Sequence, residues 1–282
     1  MMKPSQAEME RLVRMALEED APWGDITSQA LIPATACVSA VLAAREPGVL
    51  CGEDLFVAAM ALTDPTIATT FHLHDGDRFA KGSTLATIEG SARSVLQAER
   101  VALNFTQRLS GIATMTAKYV AETEGTKARI VDTRKTTPGL RLLERYAVRC
   151  GGGLNHRFSL SDAVMAKDNH LAVLGTSLAD AIKQARASLP HTTHFEVEVD
   201  SLDQIAEVLA AGVDTIMLDN FSTGNLRAGV QKIAARALVE ASGGITLERI
   251  REIAATGVDI ISVGALTHSV RALDLGLDFR RQ

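Results

Sequence analysis

The sequence predicts an α/β fold: a parallel α/β barrel of six to eight strands, closed or incomplete, preceded by a smaller α+β sandwich domain. From about residue 128 onward, short β-branched runs alternate with helical runs, which is typical of a parallel sheet with crossover helices. Charged residues or glycines stand at the ends of these runs, as expected where barrel strands end at an active-site face. No GxGxxG pattern follows the first run, which favours a barrel over a dinucleotide-binding sheet.

Residues 1–112 are predicted to form the smaller domain. They begin with an amphipathic helical pattern, MMKPSQAEMERLVRMALEED, which lacks the apolar run of a signal peptide. Strands are predicted at CVSAVLAAR and GVLCG, followed by a hairpin-like segment, HLHDGDRFAKGSTLATIEG. A long helix is predicted from about Ser91 to Leu109. We expect residues 270–282 to pack back onto this domain, and residues 113–269 to form the barrel.

The barrel strands are predicted at ARIVD, DAVMA, HFEVEV, DTIML, ALVEA and DIISV. Two of the intervening helices have clear ends. Ser201 and Gln204 form a capping-box pattern, and Gly212 is the predicted stop of that helix. Thr246 and Gly257 bracket the next helix in the same way. Six strand ends that each carry charge or glycine favour a functional face over scattered surface residues.

Composition excludes several classes of protein. A hydrophobic content of 46% and a charged content of 22% are ordinary for a globular protein. A net charge of -5 and only 4% aromatic residues argue against a nucleic-acid partner. No apolar run is long enough to span a membrane. The three cysteines, Cys37, Cys51 and Cys150, show no CxxC spacing, which favours reduced thiols in a soluble cytoplasmic protein.

The segment from Val131 to His170 is locally cationic within this acidic chain. Seven arginines and lysines and two histidines occur in it, against four carboxylates. The cations are interleaved with glycines and lie largely in loops, where functional residues concentrate. This composition predicts a pocket for a small, strongly anionic ligand bound by guanidinium and ammonium groups. The alternative is a solvated basic face.

Eight motifs along nearly the whole chain resemble the quinolinate phosphoribosyltransferase family. They are GDIT, ERVALNFTQRLSGIAT, DTRKTTPGLR, CGGGLNHRFSLSDAVMAKDNH, EVEV, MLDN, EASGGI and ISVGALTHS. Ser159 stands where the family has glycine, and Met165 and Ala166 replace a leucine and an isoleucine, but no charged group is lost. The resemblance implies transfer of a phosphoribosyl group from phosphoribosyl pyrophosphate to quinolinate with decarboxylation. The implied products are nicotinate mononucleotide, pyrophosphate and carbon dioxide, with Mg2+ as cofactor.

The resemblance also implies roles for individual residues in binding quinolinate, which carries two carboxylates. Those implied are Thr133, Arg134, His156, Arg157 and Lys167. Arg100 is implied to join them from a neighbouring subunit, which makes the expected assembly a homodimer or a higher oligomer of dimers.

The second substrate brings a phosphate, a pyrophosphate and ribose hydroxyls. Lys135 suits the pyrophosphate as a flexible point charge. Glu198 and Asp219, at the ends of neighbouring strands, suit the ribose hydroxyls or Mg2+, which prefers oxygen ligands. We expect Lys135, Glu198 and Asp219 to be the catalytic residues. Two turns are expected to offer backbone amides to the 5-phosphate: Ser242, Gly243 and Gly244, and Val263, Gly264 and Ala265.

Three other functions fit the sequence less well. A paralogous protein of the same fold with a different acceptor would depart in the DTRKTTPG and NHR blocks, and both are intact. A biotinyl or lipoyl carrier module at His72 to Gly90 lacks a modifiable lysine in the usual setting. A nucleic-acid protein is opposed by the acidic total charge.

Overall fold

A computed structural model describes residues 3–279 of the chain. It divides into two compact units by internal contacts. Within the described residues, the first unit comprises 3–117, 137–152 and 270–279, and the second comprises Lys118–Thr136 and Gly153–Ser269. The first unit therefore also includes residues 137–152, which the sequence analysis assigned to the barrel. Residues 280–282 of the predicted returning segment lie outside the described part.

The helices are α1 (Gln6–Asp20), α2 (Ile26–Leu31), α3 (Glu53–Thr63), α4 (Ala92–Ala121), α5 (Arg141–Cys150), α6 (Asp168–Leu171), α7 (Leu178–Ser188), α8 (Ile205–Ala210), α9 (Thr223–Ile233), α10 (Leu247–Ala254) and α11 (Ala265–His268). The strands are β1 (Cys37–Ala44), β2 (Gly48–Val49), β3 (Ala68–Phe71), β4 (Arg78–Phe79), β5 (Thr84–Ser91), β6 (Arg129–Val131), β7 (Val164–Ala166), β8 (Phe195–Val199), β9 (Thr215–Asp219), β10 (Leu238–Ser242), β11 (Ile260–Ser262) and β12 (Leu275–Phe279). No helix of the described part is both long and apolar enough to cross a membrane.

The first unit contains an antiparallel four-stranded sheet in the order β12-β1-β5-β3. Its apolar core includes the fully buried Leu42, Leu85, Ile88 and Phe56. Strand β12 pairs along β1, so the chain returns to this sheet after the barrel strands. Strand β4 pairs with β2 instead of forming a hairpin with β5. The predicted small α+β domain is confirmed. Its hairpin-like segment does not form the expected hairpin, because its first strand pairs with β2.

Helix α4 continues to Ala121, 12 residues beyond the predicted end at Leu109. Gly111 lies just beyond the predicted end. In the structure, a Cβ on Gly111 would lie 2.3 Å from the carbonyl oxygen of Arg271. Gly111 therefore permits close approach of another chain segment, and it does not end the helix.

The second unit contains a parallel six-stranded sheet in the order β6-β11-β10-β9-β8-β7. All six predicted strands are present, and the first lies beside the last, as winding into a barrel requires. In the part of the chain that the structure describes, β6 and β7 do not pair with each other. The prediction of an α/β barrel is confirmed, in its six-stranded, incomplete form.

Strand residues of this sheet alternate between two faces, as the period of two requires. On β8, Phe195 faces a helix, because the Arg186 guanidinium of α7 stacks on its ring at 4.3 Å. On β9, Leu218 packs toward α9, where a Cβ on Gly229 would lie 2.7 Å from Leu218 Cδ1. The alternate residues therefore face the interior of the barrel, Glu196 and Glu198 among them.

Candidate active site

A cavity of about 450 Å³ opens at the carboxyl ends of the barrel strands. It brings together eleven residues that the sequence analysis had assigned to the site: Thr133, Arg134, Lys135, His156, Arg157, Lys167, Glu198, Asp219, Ser242, Gly243 and Gly244. Met165, Met217, Asn220, Glu240 and Ser262 complete the lining. Because parallel strands end at one edge of a sheet, residues far apart in sequence meet here.

Two guanidinium groups lie on the cationic side of this cavity. Burial, and then the charge of Arg134, lower the pKa of Arg157 from its ordinary value, although a guanidinium stays charged in proteins. Arg157 also donates from Nη1 to the carbonyl oxygen of Ala163 at 3.0 Å. Like charges held close together in a partly buried site favour binding of an anion between them.

Lys167 and Glu198 form an ion pair across the cavity. Lys167 follows β7 directly and Glu198 lies near the end of β8, so both come from neighbouring strands. The Lys167 side chain is 43% exposed and that of Glu198 is 14% exposed. An anionic substrate can therefore compete with Glu198 for the accessible ammonium group of Lys167, whereas the Glu198 carboxylate is largely buried in the cavity lining.

The glycine-rich segment after α5 is tied to the buried Asp132. Leu154 pairs with the edge of β6, donating to Ile130 O at 2.8 Å and accepting from Asp132 N at 3.2 Å. The Asp132 carboxylate accepts from Asn155 Nδ2 at 2.6 Å and from His156 N at 2.8 Å. The loop residues that follow the glycine run are thus fixed in place.

The His156 imidazole points into the barrel, where Nε2 lies 3.1 Å from Glu196 Oε2 and 3.4 Å from Glu240 Oε2. Burial alone would lower the pKa of His156, but the hydrogen bonds to the two carboxylates outweigh it and raise that pKa, so the histidine and the two glutamates together retain a proton. The amide of Arg157 donates to Nδ1 at 2.7 Å, and a ring nitrogen accepts only when it carries no proton. This contact favours the neutral ring with its proton on Nε2. Burial also raises the pKa of Glu196 to about 7.

The turn after β10 is built on glycines for a steric reason. Gly243 has φ +83°, and a Cβ there would lie 2.7 Å from the backbone nitrogen of Asn220. Asn220 itself has a left-handed φ of 57° and donates its amide N–H to Ser242 O at 2.9 Å. Its side chain donates to Asp219 Oδ2 at 2.6 Å, which fixes the rotamer of that carboxylate.

The turn after β11 packs against Lys135. A Cβ on Gly264 would lie 3.1 Å from Lys135 Cδ, and Thr267 Oγ1 donates to Lys135 O at 2.7 Å. Val263 is fully buried, and its amide donates to Val131 O at 3.0 Å. The prediction that the Val263 amide binds a phosphate is therefore wrong, because the sheet uses that donor.

Two family models match the chain. The C-terminal domain of quinolinate phosphoribosyl transferase matches residues 112–278, and the N-terminal domain matches residues 25–110. The chain belongs to the quinolinate phosphoribosyltransferase family.

Relatives from bacteria are similar over nearly their whole length. The chain is 44% identical over 271 residues to a probable nicotinate-nucleotide pyrophosphorylase (carboxylating) of Bacillus subtilis, covering 96% of this chain and 93% of that protein. It is 46% identical over 275 residues to the corresponding Mycobacterium leprae protein, covering 94% and 95%. The solved structure of nicotinate-nucleotide pyrophosphorylase from Francisella tularensis matches with a TM-score of 0.93 at 40% identity, covering 99% of this chain and 98% of that one.

Some predicted family residues lie outside the cavity lining. Gly264 and Ala265 follow β11 but do not line the cavity, and Arg100 is exposed on α4 in the first unit. Their roles stay predictions.

Glu240 and Asn220 line the cavity without a role predicted from sequence, although both stand in motifs shared with the family, EASGGI and MLDN. The period of two could have indicated Glu240, because it lies on the same face of β10 as Ser242.

Proposed function

We infer that this protein transfers the phosphoribosyl group of phosphoribosyl pyrophosphate to quinolinate and releases carbon dioxide. The products are nicotinate mononucleotide and pyrophosphate, so the reaction belongs to NAD biosynthesis. One observation carries the proposal. Arg134, Arg157 and Lys167 converge on the same cavity as Glu198 and Asp219, within a chain that belongs to the family along nearly its full length.

Quinolinate would bind on the cationic side. Its two carboxylates match the guanidinium groups of Arg134 and Arg157, which can bind carboxylates in a bidentate manner. Lys167 supplies a further charge once its ion pair with Glu198 opens. Met165 and Met217 provide apolar surface in the same lining, which suits the faces of a pyridine ring.

Phosphoribosyl pyrophosphate would bind on the opposite side. Lys135, which packs against the Gly264 turn, suits the pyrophosphate. The turn of Ser242, Gly243 and Gly244 suits the 5-phosphate, because its glycines let a ligand approach the backbone. Glu198 and Asp219 suit the ribose hydroxyls.

The proposed chemistry is displacement at the anomeric carbon by the pyridine nitrogen, which needs no general base. Positive charge grows on the ribose in an oxocarbenium-like transition state, and the carboxylates of Glu198 and Asp219 offset it. Lys135 stabilises the negative charge that grows on the leaving pyrophosphate. Decarboxylation follows, because the positively charged ring nitrogen stabilises the carbanion left at the adjacent carbon.

We also propose Mg2+ as the cofactor. The donor set supports this: Glu198 and Asp219 offer carboxylate oxygens to the cavity from adjacent strands, and Mg2+ binds such hard oxygen ligands together with substrate phosphates. When bound there, Mg2+ would offset the charge of the pyrophosphate. We further propose, from the sequence alone, that the protein is a homodimer whose subunits share Arg100. A cytoplasmic location is proposed on the same basis.

Quinolinate should be used and nicotinate should not. Nicotinate lacks the second carboxylate, so one of the cavity cations would lose its partner, at a cost of about 3 to 5 kcal/mol for a buried charge. This corresponds to a kcat/KM for nicotinate lower by roughly a hundredfold to several thousandfold. The measurement is nicotinate mononucleotide formation by purified protein with phosphoribosyl pyrophosphate, Mg2+ and either acid. Comparable rates with nicotinate would overturn the proposed function.

A further inference from the structure

Two buried glutamates take no part in the proposed reaction. Glu196 is 3% exposed and Glu240 is 1% exposed, on β8 and β10 with β9 between them. In each, Oε1 is buried with no hydrogen-bond partner among residues 3–279. Apolar side chains at such positions are often as stabilising or more so, so the stability of the fold does not by itself explain this pair.

What the two glutamates share is His156. Each directs Oε2 at Nε2 of that ring, at 3.1 Å and 3.4 Å. The other ring nitrogen accepts from the backbone amide of Arg157 at 2.7 Å. Because protein groups engage both nitrogens, the imidazole links the glutamates to the main chain of Arg157. His156 also lines the cavity, where it is predicted to bind quinolinate, and these contacts give it a second task.

The same short loop is held at a second point. The carboxylate of the fully buried Asp132 binds both the His156 amide and the Asn155 side chain. Asp132 fixes the loop from the β6 side, and the two glutamates fix it from β8 and β10. The residue next to these anchors is Arg157, whose guanidinium lines the cavity.

We propose that Glu196 and Glu240 are positioning residues for quinolinate binding: through His156 they hold the Arg157 main chain, and with it the guanidinium, in place for a carboxylate. This inference rests on the proposed function, because it takes quinolinate as the ligand of Arg157. Glu240 also lines the cavity, but both glutamates direct Oε2 at His156, whereas Glu198 pairs with Lys167 and is assigned to the ribose side. Their effect on activity runs through binding of one substrate.

The test is steady-state kinetics of Glu196→Ala and Glu196→Gln with each substrate varied in turn. Glu196→Ala should raise the KM for quinolinate about tenfold or more, as expected when a charge-assisted contact is misplaced. The KM for phosphoribosyl pyrophosphate should change by less than about twofold, because a substitution has little effect on a binding site that shares no contacts with it. Glu196→Gln should recover most of the loss, because its amide oxygen still accepts from His156 Nε2.

A double-mutant cycle distinguishes this role from general destabilisation. In a His156→Ala background, adding Glu196→Ala should not raise the quinolinate KM further, because the link is already cut. Asp259→Asn is the matched control. Asp259 binds the other end of β10 by accepting from Val239 N at 2.9 Å, so its loss should lower the melting temperature and leave both KM values unchanged.

Wild-type turnover of quinolinate separates failure of this inference from failure of the proposed function. If the wild type is active, an unchanged quinolinate KM in Glu196→Ala overturns the positioning role. An equal rise in both KM values, or additive effects in the cycle, also overturns it. If Glu196→Ala does not fold, Glu196→Asp replaces it in every arm, since the shorter side chain withdraws the acceptor and keeps the charge.

Discussion

Lys135→Ala should lower kcat by on the order of a hundredfold or more, the size expected when a group that stabilises transition-state charge is removed. Leaving-group charge grows as pyrophosphate departs, so the lost ammonium matters most in the transition state. Lys135 lies against Gly264, in the turn assigned to phosphate binding. The KM for quinolinate should stay nearly constant.

Substitution of the neighbouring Arg134 should change a different kinetic parameter. Arg134 is close enough for its charge to lower the pKa of Arg157, so it faces the quinolinate side. Arg134→Ala should raise the quinolinate KM by roughly 10- to 100-fold, which corresponds to about 1.4 to 2.7 kcal/mol of charge-assisted hydrogen bonding. Side chains of successive residues in an extended segment point to opposite sides, which is why two adjacent cations can serve different substrates.

The measurement for both variants is steady-state kinetics with each substrate varied at saturation of the other. Lys127→Ala is the matched control, because Lys127 pairs with Asp259 and does not line the cavity. It should leave kcat and both KM values unchanged. If Lys135→Ala and Arg134→Ala change the same parameters by the same factor, the two residues serve one ligand and the division of the cavity is wrong.

Arg100→Ala should abolish most activity even though Arg100 is exposed on α4 and does not line the cavity. The proposed reason is that Arg100 completes the quinolinate site of a partner subunit. Mixing inactive Arg100→Ala with inactive Lys167→Ala should then restore activity. With free subunit exchange, half of the dimers are hybrids with one intact site, so about a quarter of wild-type activity is expected.

The matched control mixes Arg157→Ala with Lys167→Ala. Both residues line the cavity of their own protomer, so each site of a hybrid dimer carries one defect and no activity should return. Exchange itself is verified with differently tagged protomers. No recovery in the Arg100→Ala mixture, once exchange is demonstrated, would contradict the shared site.

The barrel was predictable because its signals are local and repeated. Each of its six strands is a short β-branched run. The predicted capping box of Ser201 with Gln204 is present, and it begins a 3-10 turn, Leu202–Gln204, that leads directly into α8. The end of α4 was not predictable in this way. Glycine is a weak helix former, so Gly111 by itself suggests a helix end. Its presence inside α4 is explained only by Arg271, whose carbonyl oxygen occupies the space that a Cβ on Gly111 would need.

The sequence predicts which residues line the cavity better than it predicts which contacts those residues make. Charged residues at strand ends indicated Lys167, Glu198 and Asp219, because parallel strands end together. Sequence could not show that the Val263 amide belongs to the sheet, since its partner is Val131 on another strand. Nor could it show that His156 turns inward, because that depends on two glutamates from separate strands.

The central claim is that this cavity joins quinolinate to the phosphoribosyl group and releases its carboxylate. The most direct measurement is the stoichiometry of a single incubation of purified protein with quinolinate labelled in the carboxylate next to the ring nitrogen, phosphoribosyl pyrophosphate and Mg2+. Nicotinate mononucleotide, pyrophosphate and labelled carbon dioxide should form in equal amounts, and none should form with the Arg157→Ala variant under the same conditions. Pyrophosphate release without nicotinate mononucleotide, or a mononucleotide that retains the labelled carboxylate, would contradict the account.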